Sequence, residues 1–316
     1  MSLMQSLRGS LVAIVTPMTE SGSIDTKAMH DLIEWHIAAK TNGLIIAGTT
    51  GESAALSIEE HSALIANAVK QVAGRVPVIA GTGTNSTATT LTLTQNAKKA
   101  GADACLIVTP YYVRPTQNGL YQHYKHIADN VDLPILLYNV PGRTGCDLLP
   151  ETVGRLAQLK NIIGIKDATS EFERVSAIRK LCPETFFIFN GNDDTALDWM
   201  LAGAHGVISV TANVAPEKMA MMCRAALDGN RAAAEKINAV ICEVQEINID
   251  ATWQEFEPIA DALKTRLLES ATTMHAAAVL REAQAAELAA LRASAAARAE
   301  EDRVRREEDE ANARRI

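Results

Sequence analysis

The chain is poor in aromatic residues, at 4% of 316, and its five cysteines, at positions 105, 146, 182, 223 and 242, include no Cys-x-x-Cys pair. That scatter excludes the ligand spacing of a zinc site and the paired framework of a disulfide-stapled domain. The cysteines read as reduced thiols. An excess of positive charge is missing as well. The formal net charge is −8, so neither nucleic acid nor an anionic membrane surface is an expected partner. No run of about 18 apolar residues occurs, and residues 1–8 lack the basic region and apolar core of a secretory leader. A cytoplasmic protein is expected. No Gly-rich dinucleotide fingerprint follows the first apolar run, which argues against a doubly wound open sheet.

What the chain does contain is alternation. Short apolar runs at 11–17, 43–48, 77–81, 104–109, 134–140, 162–166, 186–190 and 206–210 read as strands. Amphipathic stretches such as 26–40, 58–72, 88–100, 151–159 and 172–181 read as helices between them. Ser57-Ile-Glu-Glu60 has the form of a capping box. Eight strands separated by helices imply parallel pairing through crossovers, and eight such units close into a (β/α)8 barrel, a TIM barrel. The domain reading is a catalytic barrel over 1–231, a helical C-terminal segment over 232–269, and a helical tail over 270–316. That tail is dominated by Ala, Glu and Arg and has no Gly or Pro.

The chemistry centres on Lys166 in Asn161-Ile-Ile-Gly-Ile-Lys-Asp-Ala168. An ammonium in such an apolar run is desolvated, so its pKa falls toward the range where the neutral amine attacks a carbonyl to form a Schiff base. The alternative is a structural lysine paired with a carboxylate. Adjacent Asp167 is a poor partner, because neighbours on a strand point to opposite faces. Other polar residues fall at strand ends, which converge on one mouth of a barrel: Thr49 and Thr50, Tyr111 and Tyr112, and Tyr138. The loop Gly48-Thr-Thr-Gly-Glu-Ser53 offers hydroxyls and backbone N–H groups to a carboxylate. Arg143, five residues after Tyr138, is read either as a bidentate clamp for a second carboxylate or as half of a surface salt bridge.

Together, Leu44-Ile-Ile-Ala-Gly-Thr-Thr-Gly-Glu-Ser53, Val108-Thr-Pro-Tyr-Tyr112, Tyr138-Asn-Val-Pro-Gly-Arg-Thr144, Gly164-Ile-Lys-Asp-Ala168 and Gly206-Val-Ile-Ser-Val-Thr-Ala-Asn213 resemble the dihydrodipicolinate synthases of the pyruvate-dependent class I aldolase superfamily. The resemblance runs from about residue 7 to 245. It implies a lyase of lysine and diaminopimelate biosynthesis that condenses pyruvate with L-aspartate 4-semialdehyde, without metal or organic cofactor. Lys166 would form the imine, and Thr49 and Thr50 would bind the pyruvate carboxylate. Tyr138 would shuttle protons, linked through Thr50 to Tyr112 reaching in from a second subunit of a dimer or tetramer. Arg143 would grip the semialdehyde carboxylate, and Ile208 would line the pyruvate pocket through its carbonyl. Sibling aldolases such as N-acetylneuraminate lyase share the lysine, the tyrosine and the loop; Arg143 and the Tyr111-Tyr112 pair favour the synthase.

The chain departs from the family pattern in two places. Ser53, Ala54, His61, Asn85 and Tyr111 match positions of a lysine feedback site, but Ile58 and Thr89 stand where many relatives carry His and Glu. Without a carboxylate at 89 the ligand's ammonium lacks a partner, so lysine inhibition is expected to be weak or absent. The Pro-rich segment usual beside the mouth is also missing after Gln245, where Pro258 is the only proline. This leaves a second reading, in which an impaired synthase barrel serves as an oligomeric scaffold for the altered helix.

Overall fold

A computed structural model describes residues 7–250, with side chains from 7 to 242. The expected helical segment 232–269 is therefore described only in its first part, and the tail 270–316 lies outside the described residues.

Strands and helices alternate from the start: β1 (Gly9–Ala13), α1 (Thr26–Ala38), β2 (Gly43–Ile46), α2 (Ile58–Val72), β3 (Val78–Gly81), α3 (Thr87–Ala100), β4 (Ala104–Val108) and α4 (Gln117–Asn130). The second half runs β5 (Ile135–Asn139), a single turn α5 (Pro141–Thr144), α6 (Pro150–Leu156), β6 (Ile162–Asp167), α7 (Glu173–Leu181), β7 (Phe187–Asn190), α8 (Ala196–Leu201), β8 (Gly206–Ser209), α9 (Pro216–Leu227) and α10 (Arg231–Asp250). Each strand pairs in parallel with the next, and β8 returns to β1, closing the expected eight-stranded barrel.

The strands are apolar on both faces, as a sheet covered on both sides requires. Leu11, Ala13, Ile45, Ile79, Leu106, Leu136, Phe187, Phe189 and Ile208 pack together inside the barrel. Their neighbours Val12, Leu44, Ile46, Leu137 and Ile188 face the helices in a second, larger cluster. Period-two alternation thus sorts one apolar run into two cores. Gly164 sits on the inner face because a Cβ there would meet the Phe187 Cβ at 2.7 Å and the Leu136 Cδ2 at 2.9 Å. Phe187 and Phe189, with ring centroids 6.1 Å apart, fill that space.

Helix entries follow local chemistry. Ser57 and Glu60 make both bonds of the capping box, at 3.2 Å and 2.9 Å. Asp25, Ser86 and Thr116 each accept from a first-turn N–H. Most boundaries shift by one to three residues, and the first strand shifts furthest. The first strand spans 9–13 rather than 11–17, because Gly9 and Ser10 pair with β8 while the chain leaves the sheet after Ala13. Beyond it, Val15 donates to the Asn213 side chain and Thr16 to the Gly51 carbonyl. Pro17, lacking an N–H, cannot donate to the ladder.

Candidate active site

Strand register sets the centre of the site. In the β5–β6 pairing Tyr138 is opposite Lys166 and Asn139 opposite Asp167. The first pair points into the barrel, with the Lys166 ammonium 4.4 Å from the centroid of the Tyr138 ring. Lys166 is 4% exposed and Tyr138 is 6% exposed. Burial lowers the Lys166 pKa to about 8; the Asp193 carboxylate opposes that fall and the Arg143 guanidinium adds to it. At pH 7 about a tenth of the lysine is then the free amine, several hundred times the share of an exposed lysine. Tyr138 moves the other way. Burial raises its pKa, while the Arg143 charge and a hydrogen bond with Thr49 pull it down.

Asp167 points outward, as alternation requires, and is no partner for Lys166. Its carboxylate accepts from the backbone and hydroxyl of Thr169, at 3.0 Å and 2.6 Å, and from Asn139 at 3.1 Å. The salt-bridge alternative for Arg143 is not realised: it forms no ion pair among the described residues. Arg143 stands exposed on α5 and lines a cavity of about 500 Å³ with Tyr111, Tyr112, Arg114, Gly142, Thr144 and Gly145.

The loop after β2 is shaped by two non-glycine residues in left-handed conformation, Ala47 at φ 53° and Glu52 at φ 56°. Glu52 and Ser53 donate their N–H groups back to Thr49 and Gly48, whereas those of Thr49 and Thr50 have no acceptor among the described residues. The loop therefore presents free donors where an anion can dock. Thr49 is exposed and Thr50 half-buried. Of the two threonines, Thr49 is the one that draws the phenol's pKa down. Tyr112, at φ 72°, is 88% exposed, and among the described residues no hydrogen bond joins it to Thr50. Ile208, fully buried, lies on β8 beside Leu11.

Two contributors escaped the sequence reading. Asp193 follows β7, and one of its oxygens accepts from Val210 N–H, Thr211 N–H and the Thr211 hydroxyl at 2.8 to 3.0 Å. Its other oxygen is buried without a hydrogen-bond partner among the described residues. Gly191 is needed because a Cβ there would stand 2.9 Å from the Lys166 Cε and 2.7 Å from the Ala168 Cβ. The readable signal for both was position: they follow a strand at its C-terminal end, as the other rim residues do.

Of the five residues matched to a feedback site, Ala54 and Asn85 are exposed, Ser53 and Tyr111 are half-buried, and His61 is buried. The His61 Nε2 lies 2.7 Å from the Gly81 carbonyl, so its ring is turned into the barrel wall, and burial lowers its pKa. Ile58 is exposed, and the Thr89 hydroxyl donates to Ser86 at 3.1 Å.

An inward amine with a lowered pKa, a phenol beside it and a loop with free N–H donors thus lie together at one barrel mouth. The sequence model of the dihydrodipicolinate synthetase family matches residues 6–292. The chain belongs to that family. Among family members, the 4-hydroxy-tetrahydrodipicolinate synthase of Alcanivorax borkumensis is 49% identical over 283 residues, covering 84% of this chain and 96% of its own. The crystal structure of the chloride-inhibited dihydrodipicolinate synthase from Acinetobacter baumannii, complexed with pyruvate, is 44% identical with a TM-score of 0.74. It covers 82% of this chain and 98% of its own. The enzyme from Cyanidioschyzon merolae, solved with lysine bound, is 32% identical with a TM-score of 0.77, covering 83% and 89%. No helix among the described residues is long and apolar enough to cross a membrane.

Proposed function

We propose that Lys166 is the Schiff-base residue through which this chain works as a 4-hydroxy-tetrahydrodipicolinate synthase, a lyase that condenses pyruvate with L-aspartate 4-semialdehyde. The observation that carries the assignment is the burial of Lys166 against Tyr138 on adjacent inward strand positions. The neutral amine attacks the pyruvate C2 carbonyl, and loss of water gives the imine. A C3 proton leaves to form the enamine, whose C3 attacks the aldehyde carbon while the new alkoxide takes a proton. The semialdehyde's own amine then attacks the imine carbon, closing the ring and releasing Lys166 as the amine.

Tyr138 is the proton shuttle, since it lies beside the ammonium and hydrogen-bonds toward the carboxylate loop. Thr49 and Thr50 hold the pyruvate carboxylate through the free N–H groups of that loop. Arg143 takes the semialdehyde carboxylate from the open side of the mouth. The same arginine separates this reading from a sugar-acid lyase, which has a polyol to bind. The Ile208 carbonyl closes the pyruvate pocket. Tyr112 acts from a second subunit of a dimer or tetramer, a reading supported by its exposure beside Val113, itself 56% exposed. The location is cytoplasmic. Lysine inhibits weakly or not at all, because Thr89 brings a hydroxyl committed to Ser86 where a carboxylate would be needed; inhibition by micromolar lysine in a steady-state assay contradicts this.

The primary test is trapping. After incubation with pyruvate and reduction with borohydride, one reduced pyruvate is expected on the peptide holding Lys166. A folded sample that yields no adduct refutes the assignment and leaves the barrel as a scaffold for its altered C-terminal region.

A further inference from the structure

A polar cluster, buried except at half-buried Asp147, lies on the other side of the strands from Lys166 and Tyr138. It joins Asn139 at the end of β5, Asp147 just after α5, Asp167 at the end of β6 and Arg174 on α7. The Asn139 amide donates to Asp147 at 2.7 Å and to Asp167 at 3.1 Å, and its oxygen accepts from Leu148 N–H at 2.9 Å. The Arg174 guanidinium donates to Asp147 and brings its Nε to 3.6 Å from Asp167. Glu171, at 3.5 Å from the same Nε, is the third carboxylate around this guanidinium. Asp167 is fully buried, Arg174 is 5% exposed, and among the described residues the Arg174 Nε has no hydrogen-bond partner. One cation is thus shared by two main carboxylates, which one amide bridges.

The placement of this cluster relates it to three of the residues assigned to the chemistry, Lys166, Tyr138 and Arg143. Asn139 follows Tyr138, and Asp167 follows Lys166. Asn139 and Asp147 bracket the turn that carries Arg143. Besides its own backbone bonds, the turn is tied by Thr144, whose hydroxyl donates to the Val140 and Cys146 carbonyls and whose carbonyl accepts from Tyr112 N–H. The Cys146 thiol near the Pro110 carbonyl and Gln117, which donates to the Asp147 carbonyl, add to these; none of them reaches β6. Buried charges held this way cost desolvation, and a single buried pair is weak evidence of stabilisation. The return on that cost is geometric. Each strand end is fixed to the other and to the turn by charge-assisted bonds that leave the substrate side of the barrel clear.

We propose that Asn139, Asp147, Asp167 and Arg174 form a positioning clamp that sets the Arg143 turn at a fixed distance from the Lys166–Tyr138 pair. The clamp thereby governs capture and alignment of the second substrate, the aldehyde that carries a carboxylate. It touches neither substrate. The inference rests on the roles given above to Lys166 and Arg143.

Asp147→Ala frees the turn while leaving Asp167 beside Arg174; Asp147→Asn keeps an acceptor for Arg174 and Asn139. Misplacement of a binding group by about an ångström costs up to about a hundredfold. The KM for aspartate semialdehyde is expected to rise about tenfold in D147A, with kcat reduced by a similar factor, and about threefold in D147N. Half-saturation of the borohydride-trapped pyruvate imine stays within about twofold of wild type in both, because the Lys166 pocket is untouched. A merely structural role lowers the melting temperature without separating the two substrates. Should D147A not fold, D147N decides at its smaller expected shift. A wild type that condenses both substrates, paired with a folded variant whose two half-saturation values move together or not at all, overturns the clamp and leaves the Lys166 assignment standing. Absence of the pyruvate adduct in the wild type fails the assignment itself, and the clamp with it.

Discussion

Replacing Lys166 with methionine removes an ammonium that the barrel buries at a cost, so stability and activity should move in opposite directions. The lysine is 4% exposed, and burial lowers its pKa from 10.5 to about 8. At about 1.4 kcal/mol per pH unit, that gap corresponds to about 3 kcal/mol of destabilisation at neutral pH. The unfolded chain holds its proton up to the higher pKa, so between pH 8 and 10.5 it binds more protons than the folded one. Wild-type stability therefore rises through that window relative to a variant that cannot titrate. The advantage of Lys166→Met should be about 3 kcal/mol at pH 7, about half that near pH 9.5, and absent above 10.5. A constant offset from packing rides on this, since methionine keeps a favourable sulfur contact with the Tyr138 ring in place of the ammonium. Urea unfolding of both proteins at matched pH values reads the difference, and other titrations cancel in it. A stability gap that does not change between pH 7 and 10 would falsify the claim that desolvation sets this pKa. Pyruvate trapping by the variant should be abolished throughout.

Tyr138→Phe keeps the ring beside Lys166 and removes the proton-carrying hydroxyl, so kcat should fall about 10²- to 10³-fold in steady-state assays, and a loss under tenfold would exclude the shuttle role. Gly191→Ala places a Cβ against the Lys166 side chain; the rate of imine trapping should drop at least about tenfold in a protein whose circular dichroism is unchanged. His36, His123 and His205 are pushed to about 4 by burial. Their folded pKa values lie below the unfolded value of 6.5, so the stability they allow is complete above pH 6.5 and lost as pH falls toward 4. Melting temperature against pH should show that acid limb, and His123→Asn should flatten it.

Much of the fold was written locally. Eight apolar runs of strand length, each followed by a helical period, specify parallel crossovers wherever they fold, and closure follows because eight such units leave no edge. The Ser57 box and the helix over 58–72 were legible to the residue, since a cap involves atoms only three residues apart. Lys166 was legible for a similar reason: an isolated cation among Ile, Ile, Gly and Ile must be buried, and burial is the largest cause of its lowered pKa.

The tertiary structure decided which groups meet. Asn139, Asp147, Asp167 and Arg174 lie up to 35 positions apart, and no period or motif links them; they come together only because β5 and β6 pair in one register with α7 packed outside. Asp193, just past β7, reaches the field of Lys166 on the paired strand β6, a relation set by strand pairing between residues 27 positions apart. Sequence determined the kinds of chemistry at the rim, because residue type and strand phase are local properties. Distance and partner were decided by the closed sheet, because hydrogen bonds and charges act through space between strands that the chain order keeps apart.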